Sequence, residues 1–144
     1  MRIIFFIFLI VSTILIASQR SFKIISKYQK RHFELIDKWI FLSMETVTKA
    51  ETEEREIVYQ DDENIETLSF HRSGSISYVS LEGGEQKKGR GTWLIKDQYI
   101  RIISKSDTID ATYKIEGDIL TLTTSEEESE DFYGYTSVVQ YQKD

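Results

Sequence analysis

Residues 108–116, TIDATYKIE, decide the fold: Ile109, Ala111, Tyr113 and Ile115 alternate with Asp110, Thr112 and Lys114. A period of two predicts a half-buried β-strand with one face in a core and the other in water. Gly117-Asp118 follows where a tight turn is needed, and residues 119–124 resume the apolar pattern. This is the signature of an antiparallel hairpin.

Working outward, the same punctuation recurs on both sides. Candidate strands run over 39–48, 65–71, 75–81, 89–96, 98–104, 108–116 and 119–124, with a final aromatic-rich run over 132–142. Residues 56–60 read either as a further strand or as an extension of the next one. Ser73-Gly74, Glu82-Gly83-Gly84 and Lys96-Asp97 mark the other turns. None of these connections is long enough for a crossover helix, so parallel βαβ architecture and a Rossmann-type cofactor site are excluded. Sequential hairpins predict a mainly β domain over 38–144, an antiparallel up-and-down barrel of about eight strands.

The order of marker residues is similar to that of small lipocalin-like domains of exported bacterial proteins. Trp39 opens the first strand, Phe70-x-x-x-Gly74 forms a hairpin, and Gly91-Thr92-Trp93 enters a middle strand. Tyr113-x-Ile115-x-Gly117-Asp118-x-Leu120-x-Leu122 then matches the family's hairpin. The likeness covers residues 37–141, with one departure: Asp37-Lys38-Trp39 lacks the Gly that usually stands two residues before the first Trp. The resemblance implies an eight-stranded barrel with a ligand cavity, and it brings no catalytic residues.

The N-terminus reads differently. Residues 3–18, IIFFIFLIVSTILIAS, carry no charge and follow Arg2. As a helix they would span about 24 Å, somewhat short of a hydrocarbon core of about 30 Å. A cleaved signal peptide, with Ala17 and Ser18 before the cut, and an uncleaved anchor flanked by Arg20 and Lys23 both fit. The expectation for 1–18 is thus a hydrophobic helix that attaches the chain to a membrane or exports it to the periplasm, the cell surface or the medium. The basic residues downstream oppose export through the positive-inside bias. Over 19–37, Phe22, Ile25, Tyr28, Phe33 and Ile36 recur at helical spacing among Lys23, Lys27, Lys30 and Arg31, predicting a basic amphipathic linker helix. Such a helix either lies on an anionic lipid surface or packs its apolar stripe on the domain.

From Trp39 to the C-terminus there are 22 acidic and 11 basic residues, whereas residues 19–38 carry six basic and two acidic ones. An acidic body repels phosphate backbones, so nucleic acid is a poor partner. The chain has no Cys, hence no disulfide framework and no thiolate nucleophile or Cys-bound metal. His32 and His71 are too far apart in type of segment to form a paired metal motif, and no Gly-x-Ser-x-Gly elbow is present. The acidic runs 61–63 and 126–131 lack the alternating oxygen ligands and central Gly of a Ca²⁺ loop. Residues 84–92, GEQKKGRGT, lead into a strand where a phosphate-binding loop would open a helix, so they read as a basic hairpin.

The expected function is therefore a non-enzymatic binding or accessory module at or beyond a membrane, without metal or cofactor, taking a small hydrophobic ligand. The alternative is a protein-interaction or inhibitor domain in which a filled barrel is only a scaffold and acidic loops engage a basic partner. The candidate barrel-lining residues are Trp39, Phe70, Trp93, Ile109, Tyr113, Ile115, Leu120 and Leu122. A fatty-acid carboxylate would fit only if Arg90 or Arg101 faced inward.

Overall fold

The computed structural model describes residues 32–82, 84–105, 107–130 and 133–144. A 3-10 turn at Phe33–Leu35 leads into nine antiparallel strands: β1 Lys38–Lys49, β2 Glu53–Tyr59, β3 Asn64–Phe70, β4 Ser75–Glu82, β5 Glu85–Lys96, β6 Tyr99–Ser104, β7 Thr108–Glu116, β8 Ile119–Glu126 and β9 Tyr135–Lys143. From β3 to β9 each strand pairs with the next, and β9 returns to β1 from Trp39↔Lys143 to Thr48↔Tyr135. With β1 joined to β3, eight strands close a barrel.

Two-residue loops explain the tight returns. Gly117 has φ 60°, a left-handed conformation that costs glycine little, and Asp97 takes φ 57°, which its short polar side chain tolerates. Gly91 serves another purpose. A Cβ there would lie 2.2 Å from the Ile103 carbonyl oxygen, so only glycine lets β5 approach β6 so closely.

The ninth strand divides one wall. β1 pairs with β3 only over Lys38↔Ser69, Trp39↔Leu68 and Ile40↔Thr67. Further along the same edge, Ser43 to Lys49 pair with β2 instead. Between β2 and β3 the chain makes a turn fixed by Asp61, whose Oδ1 accepts from the backbone N–H groups of Glu63 and Asn64, each at 2.8 Å. A register shift between Phe41 and Ser43 changes the phase of β1, so that Trp39, Phe41 and Met44 all enter the core.

The core is densest at the end where β1 begins. Leu35, Trp39, Phe70, Trp93, Ile95, Ile100 and Leu120 are buried there or close by. Phe70 and Trp93 meet edge to face at 5.6 Å between ring centroids. The indole N–H of Trp39 donates to the Leu35 carbonyl at 2.9 Å, which ties the 3-10 turn to the barrel.

The linker-helix expectation is corrected at its described end. Residues 33–35 form one 3-10 turn and Ile36 is extended. Phe33, expected on the buried stripe, is 56% exposed, while Leu35 is buried. The reason is tertiary: burying Leu35 beside Trp39 fixes a tight turn, and an α-helix continuing through residue 36 would give up that packing. The rest of the linker, 19–31, and the hydrophobic helix expected over 1–18 lie outside the described residues.

Membrane attachment is corrected as well. Among the described residues no helix is long and apolar enough to cross a membrane, and spanning needs about 20 consecutive, mostly apolar residues. The expectations of a transmembrane helix, of the membrane as partner and of a membrane-anchored chain rested on such a helix and are withdrawn; the expectation of an exported chain, drawn from a signal peptide over 1–18, has no support among the described residues. The doubtful segment at 56–60 proves to be part of a full strand, β2. The basic hairpin at 84–92 is largely strand, since β5 begins at Glu85.

Candidate functional site

Further along the barrel interior from Leu35, the lining changes. Glu66 shares a face of β3 with Leu68 and Phe70 because side chains two apart point the same way. Its cross-strand partner on β4 is Ser80, which is buried. On β9, Ser137 is buried in phase with Val139 and Tyr141, and its hydroxyl lies 3.2 Å from that of Thr46 on β1. The polar positions therefore face inward together with the apolar ones.

The centre of this region is one pair. Tyr141 is fully buried, and its hydroxyl donates to Glu66 Oε1 at 2.6 Å. The Tyr141 ring also meets Phe41 edge to face, with centroids 6.1 Å apart. Removal of water from around the carboxyl group raises the Glu66 pKa, and the Tyr141 hydrogen bond only partly offsets this by favouring the anion. The Tyr141 phenol is pushed well above its ordinary range, first by burial and then by the nearby Glu66 charge. Tyr141 is thus a fixed donor, and Glu66 is the group that titrates. The Glu66 residue as a whole keeps partial exposure.

The eight residues expected to line the barrel separate by position. Trp39, Phe70, Trp93, Ile109, Leu120 and Leu122 are buried in one core cluster, and Tyr113 and Ile115 pack against it partly exposed. The Trp93 indole donates to the His71 carbonyl at 3.2 Å, and the Tyr113 hydroxyl lies 2.9 Å from His32 Nδ1. His71 itself sits at an exposed turn with Nε2 3.1 Å from the Ser77 hydroxyl. Arg90 is exposed, and Arg101 forms a two-pronged pair with Asp110 across β6 and β7. Strand alternation puts Arg101 on the face opposite Ile100 and Ile102, so neither arginine stands ready for a fatty-acid carboxylate.

Sequence reasoning missed Glu66, Ser80 and Ser137. A signal for Glu66 was present, since in Glu66-Thr67-Leu68-Ser69-Phe70 the carboxylate is in phase with two core positions. Among the described residues no group of three or more His, Cys, Asp or Glu side chains is placed to hold a metal ion.

No family model matches the chain, and no curated protein matches it. The closed eight-stranded antiparallel barrel is consistent with a lipocalin-like fold. That likeness rests on the strand order and the barrel alone.

Proposed function

We propose that the chain is a non-enzymatic, lipocalin-like binding module whose barrel takes a small, mainly apolar molecule carrying an ammonium group. The single observation that supports this reading is the Glu66–Tyr141 pair inside the barrel. A carboxyl group withdrawn from water costs stability unless it is paired and hydrogen-bonded, and here Tyr141 supplies one donor against two acceptor oxygens. A cationic head completes that pairing, while Phe41, whose ring meets that of Tyr141, offers apolar surface beside it. The acidic body adds attraction for cations and repulsion for anionic ligands.

Calorimetric titration of the full chain with decylammonium tests this, with decanoate as the anionic counterpart. Saturable one-to-one binding of decylammonium is expected, strengthening as pH rises through the Glu66 titration. Glu66→Gln should weaken it by about tenfold or more, equivalent to ~1.4 kcal/mol, and Glu127→Gln on the exposed loop should leave it unchanged. Equal binding of both probes, or an unaltered affinity in Glu66→Gln, would overturn the reading.

A further inference from the structure

β2 stands at the end of the strand order and, among the described strands, pairs only with β1. Gln60 N–H donates to the Leu42 carbonyl in the same register that joins Ser43 to Tyr59. Backbone groups of the even-numbered residues therefore point toward β1. Those of Glu53, Arg55, Ile57 and Tyr59 point away from it, where no described strand receives them. This edge is open to solvent: residues 53–57 are all exposed, with Ile57 at 46%, and Tyr59 is 66% exposed.

The edge also has a chemical character. Glu54 and Glu56 lie on one face of β2, and Arg55, Ile57 and Tyr59 lie on the other. Arg55 is engaged, its guanidinium 3.0 Å from the Glu45 carboxylate. The next turn adds Asp61, Asp62 and Glu63. A second copy of the chain docking here would set Glu53, Glu54 and Glu56 against their own kind, which like-charge pairing across strands disfavours.

We infer that the free edge of β2 receives an extended basic segment of a partner protein as an added antiparallel strand. Alternate lysine or arginine side chains of that segment face Glu54 and Glu56, and its apolar side chains face Ile57 and Tyr59. The backbone bonds of Glu53, Arg55, Ile57 and Tyr59 supply affinity, and the alternating side chains supply selectivity.

The test uses the full chain and a capped heptapeptide of alternating lysine and valine. Binding is expected, with amide exchange at residues 53, 55, 57 and 59 slowed about tenfold or more, and with the free chain monomeric in sedimentation. Ile57→Pro removes an outward N–H without touching a bond to β1 and should weaken binding at least tenfold, its fold checked by near-ultraviolet circular dichroism. The same peptide methylated at alternate backbone nitrogens should likewise fail on the native chain, which keeps the test independent of how well the variant folds. Retained binding of the methylated peptide would mean attraction by charge alone and would overturn the inference. So would undiminished binding by a folded Ile57→Pro chain, absence of any binding, protection confined to other strands, or a dimer formed through β2.

Discussion

Replacing Tyr141 by Phe removes one hydroxyl from a fully buried position and takes the 2.6 Å hydrogen bond from Glu66. Such a bond is worth ~1.5–3 kcal/mol when its partner is charged and ~0.5–1.5 kcal/mol when both groups are neutral. The protonation state of Glu66 therefore decides the loss. Burial raises the Glu66 pKa above its ordinary value of 4.5, so the folded chain holds this proton to higher pH than the unfolded chain does. Its contribution to stability is fully present below the unfolded value and is lost as pH rises through the folded one. Tyr141→Phe removes an interaction that favours the anion, which raises the folded pKa further. The expected cost is ~0.5–1.5 kcal/mol at pH 4 and grows toward ~1.5–3 kcal/mol as rising pH ionises Glu66, with the Tyr141 phenol of the native chain held protonated well past its ordinary range. A loss of ~2 kcal/mol lowers the melting temperature by about 4–8 °C in a chain of this size.

Glu66→Gln completes the experiment because the amide does not titrate. Subtracting its stability from that of the native chain cancels the exposed carboxylates that both share. The variant should gain on the native chain as pH rises, by up to ~1.4 kcal/mol per pH unit within the window between the unfolded and folded Glu66 values. Urea denaturation followed by fluorescence of Trp39 and Trp93 at several pH values reads both effects. A cost of Tyr141→Phe that is the same at pH 4 and pH 9, or a Glu66→Gln difference that does not change with pH, would refute the reasoning.

Three further outcomes follow from the packing. Gly91→Ala should destabilise by ~1–3 kcal/mol or more, because the new methyl meets the Ile103 carbonyl, whereas Gly89→Ala meets the movable ring of Tyr78 and should cost less; urea midpoints compare the two. Leu35→Ala should cost ~2–5 kcal/mol and loosen the end of the barrel that the 3-10 turn covers, read as faster amide exchange at Asp37 to Trp39 and near Phe70. Arg101→Ala should change the urea midpoint by less than ~1 kcal/mol, since the Asp110 partner is largely exposed and the pair lies on the outer face.

What was legible in the sequence follows the strength of local pattern. β7 was read to the residue because Ile109, Ala111 and Tyr113 alternate without interruption between a turn and a loop. β2 was obscure: EEREIVY begins with four charged residues, and its strand form comes from pairing with β1 more than from burial. The helical spacing of Phe33 and Ile36 misled because Leu35, outside that stripe, is the residue the barrel takes in. Trp39 and Trp93 announced themselves as core aromatics, but the register that sets Glu66 beside Tyr141 joins residues 75 apart in the chain. No local period carries that contact. The outward placement of Arg101 was likewise settled only by the pairing with Asp110.

The proposed ligand position is the polar part of the barrel interior, around Glu66 and Tyr141. Nuclear magnetic resonance mapping of the full chain during titration with decylammonium tests it most directly. Saturable shifts and contacts from the probe are expected at Phe41, Met44, Glu66, Ser80 and Tyr141, all lost together in Glu66→Gln. Shifts confined to the outer strand faces or to the acidic loop at 127–130, or persisting unchanged in Glu66→Gln, would contradict this ligand position.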